Sequence, residues 1–244
     1  MIRAVDAGIA WETHLSGGSN TRVLAVFSRA TYVQLDTDVL AIVTTEVPRG
    51  PLHLRVHQVP PKEVGQSFFL EPIILPMAYA AALGEGQQRC WTPARVDGNG
   101  LLRSRPGVPS ADASALAGSA AVRRASQALS DHDLVGTVSL LAGLGPGLTP
   151  SGDDVLAGIL LVASLTGRFT PCELRAAADT ARTHDISRSF LRWAANGHSI
   201  EPVHDLLFAV ATGRPTHEAE QAVAAIGATS GHDLLLGLRI ALSL

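Results

Sequence analysis

SGDDVLAG at residues 151–158 and SGHDLLLG at residues 230–237 align without a gap. Both read S-G-x-D-x-L-x-G, and a threonine lies just ahead of each, Thr149 and Thr229. Both lead into apolar runs. A serine and an aspartate three apart before such a run form a capping-box pattern, here with Asp in place of Glu. Each copy therefore predicts a helix start. The Ser151 and Ser230 hydroxyls take a first-turn N–H, and Asp154 and Asp233 sit at the positive end of the helix dipole. Gly158 and Gly237 fall one turn later on the same faces, which Leu161 and Leu165 continue in one helix and Ile240 and Leu244 in the other. An interior helix glycine costs about 1 kcal/mol against alanine. Two at matching places predict a close approach of these helices about a pseudo-twofold axis.

The copies differ upstream and at one internal position. GLGPGLTP, residues 143–150, precedes only the first copy, and Asp153 there is His232 in the second. A glycine- and proline-rich path into a helix start can aim several N–H groups at one point, which suits a phosphate or carboxylate. The candidate binding residues are Gly145, Gly147, Thr149, Ser151, Gly152, Ser230 and Gly231. Arg188, near the start of a further helix, is the arginine chosen to meet an anion. The candidate acid–base residues are Asp153, Asp154, His232 and Asp233; if the helix starts meet, Asp153 and His232 become neighbours able to exchange a proton. Capping and packing alone also explain the serines, Asp154, Asp233 and both later glycines. The loop carries neither the P-loop lysine signature nor a dinucleotide fingerprint. Asp153 and Asp154 are hard donors that suit Mg²⁺, but a single helix start supplies only part of a metal shell. The expectation is no metal and no cofactor, with Mg²⁺ as the alternative.

The rest of the 244 residues sets the frame. A 46% hydrophobic content suffices for one large domain or two small ones. A net charge of −3 recruits neither nucleic acid nor an anionic membrane. Lys62 is the only lysine, which confines lysine chemistry to that position. Cys90 and Cys172 are too few and too far apart for a disulfide framework and are read as buried thiols. The start of the chain lacks a signal-peptide pattern, and the longest apolar run, residues 155–165, falls short of the roughly 20 residues of a membrane helix. A cytoplasmic protein is expected.

The first third reads as strands at residues 22–28, 30–36, 39–47 and 52–59. In the last, His53, Arg55 and His57 share one face, either a solvated stripe or an anion surface. A hairpin-like turn is expected at residues 97–100. From residue 110 onward helical patterns open with Ser, Asp or Pro and close with Gly. The expectation is an α+β chain: a β-rich domain over residues 1–109, as a small barrel or sandwich, then a helical bundle over residues 110–244 carrying the motifs.

The long first motif, the I-S-x-x-x-L segment at residues 186–191 and the terminal G-A-T-S-G-x-D-x-L-x-G at residues 227–237 resemble a bacterial family whose best-known member is the AllH-type subunit of oxamate carbamoyltransferase. The resemblance is strongest from Gly143 onward. It implies a multi-protein enzyme of purine (allantoin) catabolism that converts oxalurate and phosphate to oxamate and carbamoyl phosphate, with a small anionic substrate and other subunits as partners. Such a transfer needs stabilised charge on phosphate and carbonyl oxygens more than a protein nucleophile. The alternatives are a stand-alone Mg²⁺-dependent hydrolase or transferase using Asp153 and Asp154, and a non-catalytic assembly subunit.

Overall fold

The computed structural model describes residues 2–59, 62–76, 90–103 and 113–244. They form two compact units, Met1–Pro93 and Ala94–Leu244. The boundary expected between residues 109 and 110 lies outside the described residues.

The first unit is built on a six-stranded sheet. Its strands are β2 (Asp6–Ala7), β3 (Asn20–Val26), β4 (Ala30–Leu35), β5 (Asp38–Thr44), β6 (His53–Val56) and β7 (Ser67–Phe69), while β1 (Ile2–Arg3) pairs separately with β8 (Ile73–Ile74). The order is β2-β6-β5-β4-β3-β7, antiparallel except for β5 beside β6. Alternation in β4 buries Thr31, Val33 and Leu35, whereas β5 is buried on both faces from Val39 to Val43, as its apolar run requires. Among the described residues the six-stranded sheet is not closed into a barrel; the α+β class holds.

The His53/Arg55/His57 stripe divides. His57 is exposed. His53 is buried, its Nδ1 lies 2.8 Å from the Pro48 carbonyl, and burial holds its pKa below the ordinary 6.5. Arg55 pairs at 3.2 Å with buried Asp6, which also receives Arg49 Nε at 3.2 Å, and donates a second bond to the Thr45 carbonyl at 2.9 Å. The two inner residues are thus anchors of this unit, because β2 lays Asp6 directly against Arg55.

The second unit is helical: α1 (Gly98–Arg103), α2 (Ala120–Ser130), α3 (Leu134–Leu141), α4 (Ser151–Thr166), α5 (Pro171–Thr180), α6 (Asp185–Ala195), α7 (Glu201–Thr212), α8 (His217–Ala224) and α9 (Ser230–Leu242). The expected turn at residues 97–100 is instead the start of α1, where Asp97 accepts the Asn99 N–H at 3.1 Å. Start and stop chemistry is as the sequence reads at several ends. Ser119 caps α2, Asp133 caps α3, Thr170 and Glu173 form a full capping box on α5, and Gly167 and Gly213 end α4 and α7 at positive φ. Cys90 is buried, but Cys172 is exposed in the first turn of α5.

Helix α4 is the centre of this unit. Val155, Leu156 and every residue from Gly158 to Ala163 are buried, consistent with a helix apolar nearly all round. Its main partner is α9. A Cβ on Gly158 would lie 2.6 Å from the Leu234 carbonyl oxygen and 2.7 Å from the Leu238 nitrogen; one on Gly237 would run into the Val155 carbonyl. Val155 and Leu234 occupy equivalent places in the two copies, so the contact is reciprocal, as a twofold relation demands. Among the described residues no helix is long and apolar enough to cross a membrane.

Candidate functional site

The two S-G-x-D helix starts meet, but not as capping boxes. Pro150 and Thr229 hold the N-cap positions, Ser151 and Ser230 are already helical, and neither start has a side-chain cap bond. With the serines one place further in, the aspartates turn toward the helix–helix contact rather than back over their own first turns. The Ser230 hydroxyl hydrogen-bonds Asp154 across the crossing. Asp233, fully buried, accepts a 2.5 Å bond from Ser114, 119 residues away in sequence. Each carboxylate keeps one buried oxygen, Asp154 Oδ2 and Asp233 Oδ2, with no partner among the described residues. Burial first, and then the charges of Asp233 and Asp153, push the Asp154 pKa from 3.8 up to about 8 against the opposing Ser230 bond. Asp154 is therefore a neutral, proton-bearing acid at neutral pH.

The repeat extends backwards into the preceding helices. Gly152 packs on the Leu141 carbonyl at the end of α3, and Gly231 on the Val223 carbonyl near the end of α8. Leu144 N–H bonds Leu141 O and Gly152 N–H bonds Leu144 O; Ile226 N–H bonds Val223 O and Gly231 N–H bonds Ile226 O. Gly145 and Gly227, both at positive φ, then stand in matching places over Ser151 and Ser230. Between them the first copy has PGLTP (residues 146–150) and the second only Ala228 and Thr229. The first copy's surplus is thus a three-residue insertion. Gly145, Pro146, Gly147 and Leu148 are exposed, with φ +117° at Gly145 and +94° at Gly147, a path open to glycine and strained for other residues. The N–H groups of Gly147, Leu148 and Thr149 find no acceptor among the described residues. Those of Gly152 and Gly231 do, so these two glycines serve close packing rather than offering donors.

Asp153 has a different task from Asp154. It is buried, and its carboxylate accepts the Gly143 N–H at 2.8 Å, the Ser187 hydroxyl at 2.6 Å and the Thr183 hydroxyl. It ties the loop's first residue to the start of α6. No hydrogen bond or ion pair joins it to half-buried His232, so the expected acid–base pair is absent: the helices meet through the 154/233 face, not the 153/232 face. Of the Asp153–Asp154 pair considered for Mg²⁺, Asp153 is already engaged by three donors, while Asp154 keeps an unpartnered oxygen among the described residues. Among the described residues no cluster of three or more His, Cys, Asp or Glu could hold a metal ion.

Arg188 is likewise committed, to Asp185 at 2.6 Å and to the Thr183 and Ala181 carbonyls at 2.8 and 3.3 Å. It closes the α5–α6 connection. Arg182, which the sequence reading passed over, is exposed with no hydrogen bond or ion pair among the described residues, and its carbonyl abuts Gly143. It lines a groove of about 690 Å³ between α3 and α5 that reaches Ala142 at the foot of the loop. Thr183 and Ser114, unlike Ser187 in its helix-start serine pair, stand in no local pattern; only the fold brings them to the aspartates.

Residues 141–242 match the family model described as oxamate carbamoyltransferase subunit AllH. Over that span the chain resembles this family. The match runs from the last residue of α3 to the last of α9, and so takes in the insertion loop, both helix starts and their crossing. No solved structure matches the chain.

Proposed function

We propose that this chain is a subunit of an oxamate carbamoyltransferase-type assembly, and that the junction of α4 and α9 is where it engages its small anionic substrates. The observation that carries this reading is the pairing of a loop of unbonded N–H groups with a buried, proton-bearing Asp154 at the meeting of two helix N-termini. Free N–H groups and the helix dipole favour an anion, and Arg182 beside the loop adds a charge.

The chemistry follows from the reaction that the family name implies. A phosphate oxygen attacks the ureido carbonyl carbon of oxalurate and forms a C–O bond. The C–N bond to the oxamate nitrogen then breaks, and that nitrogen leaves as an amide, taking up one proton. The loop donors around Gly147 hold phosphate; Asp154 supplies the proton as general acid, a role worth about 10²–10⁴-fold in rate. Gly145 and Gly147 set the loop's path, Thr149 and Ser151 flank it, and Ser230 orients Asp154. Neither Mg²⁺ nor a cofactor has a part in this scheme. Partner chains complete the site.

Thermal shift with phosphate, carbamoyl phosphate, oxamate and oxalurate tests the binding half. A ligand at 100 times its Kd adds about 2.7 kcal/mol. Stabilisation by none of the four, together with no carbamoyl phosphate formed when partner subunits are supplied, overturns the reading.

A further inference from the structure

Arg182 stands on backbone that is pinned from both sides. The Arg188 guanidinium donates to the carbonyls of Ala181 and Thr183, the residues flanking it, at 3.3 and 2.8 Å, and the Thr183 N–H bonds the Ala181 carbonyl at 3.0 Å. Buried Asp153 ties this segment to the insertion loop, accepting both the Thr183 hydroxyl and the Gly143 N–H. The Arg182 carbonyl lies so close to Gly143 that a Cβ there would come within 2.7 Å of it. The Arg182 side chain, by contrast, is exposed and has no hydrogen bond or ion pair among the described residues. It lines the α3–α5 groove together with Ala142, the residue before the loop. The two helices run the same way along this groove. The His132 ring ahead of α3 stacks on Phe169 ahead of α5 at 4.2 Å, and the Gly143–Arg182 contact joins their far ends. Arg182 is thus a free guanidinium on a fixed base at the loop end of the groove, as a preorganised binding group requires.

The proposed transfer brings together two anions that repel each other, phosphate and oxalurate. The loop donors serve the phosphate. The carboxylate of oxalurate, separated from the reacting ureido carbon by the keto carbon and the leaving nitrogen, needs a counter-charge of its own. We infer that Arg182 is a substrate-binding residue that holds this carboxylate at the loop end of the α3–α5 groove, and so selects carboxylates with an adjacent carbonyl, as in oxalurate and oxamate. Its planar fork matches a carboxylate through two parallel N–H bonds. Arg188 is committed to Asp185 and the two flanking carbonyls, so its part is to position Arg182. The identity of the ligand rests on the transfer reading above.

Isothermal titration of the purified chain with oxamate and, separately, with phosphate tests the assignment in wild type, R182Q, R182K and R175Q. Arg175 is an exposed arginine of α5 outside the groove lining, so R175Q removes the same charge elsewhere. Thermal melts without ligand check that each variant folds. In R182Q oxamate should bind about 10–100-fold more weakly. R182K should fall between, because lysine keeps the charge but loses the fork. Phosphate affinity should stay within about twofold of wild type in every variant, and R175Q should bind both ligands as wild type does. Unchanged oxamate affinity in R182Q, an equal loss of oxamate and phosphate affinity, or no oxamate binding by the wild type overturns the inference. Arg182-dependent oxamate binding without phosphate binding supports it and faults only the loop as the phosphate site. Phosphate binding beside oxamate binding indifferent to R182Q sinks the role of Arg182 and leaves the transfer reading standing.

Discussion

Asp153 and Asp154 are neighbours in sequence with opposite chemistry. Asp153 is a buried acceptor for Gly143, Thr183 and Ser187, so Asp153→Ala strands two hydroxyls and an N–H. The expected loss is roughly 2–4 kcal/mol in urea unfolding. Asp154 is the reverse case, a carboxyl whose folded pKa lies at about 8, above its ordinary 3.8. The folded state holds that proton where the unfolded state has released it. The associated stability is fully present below pH 4 and drains away as pH rises toward 8, by up to about 1.4 kcal/mol per pH unit between those limits. Asp154→Asn should flatten this slope in urea melts taken from pH 5 to 8. In an active assembly the same variant should lose about 10²–10⁴-fold in carbamoyl transfer.

At the scale of elements, the α4–α9 contact depends on two missing side chains. Gly237→Ala gains up to about 1 kcal/mol of helix propensity but drives a methyl into the Val155 carbonyl. Overpacking of that kind costs about 1–3 kcal/mol, and here the obstacle is backbone that can yield only by parting the helices. A lowered Tm is expected, with a similar fall for Gly158→Ala. The insertion loop should behave differently. Replacing residues 146–150 with Ala-Thr copies the shorter connection already used between Gly227 and Ser230. The shortened protein should keep its helical circular dichroism while losing stabilisation by phosphate; a retained phosphate shift would place the anion elsewhere.

Across the whole molecule, both units bury apolar cores, and the sheet unit carries in addition a set of buried charges. The sheet unit adds to its apolar core an ion-pair cluster in which buried Asp6 serves both Arg49 and Arg55. Asp6→Ala leaves Arg55 largely buried without its counter-charge, and a loss of about 3–5 kcal/mol is expected, read as unfolding of the sheet by hydrogen exchange. The helical unit relies on apolar burial around α4 and carries every residue of the candidate site.

How much of this was legible in the sequence differs by element. The strands β3, β4 and β5 follow from β-branched alternation, and most helices from their caps, because those signals are local. The echo of SGDDVLAG in SGHDLLLG, with a glycine one turn after each aspartate, sufficed to predict the α4–α9 crossing. What each aspartate does was not legible. Capping box or buried acid depends on whether Ser151 is the N-cap or the first helical residue, a shift of one position that Pro150 decides. Arg188 and Arg182 cannot be told apart along the chain, since only folding commits one to Asp185 and carbonyl oxygens and leaves the other exposed. The sequence by itself thus determined the α+β class, the repeat and the helix pairing, all of which rest on periodicity and small residues. The tertiary structure alone decided which carboxyl keeps a proton, because that depends on burial and on Asp233 and Ser230 arriving from a distant part of the chain.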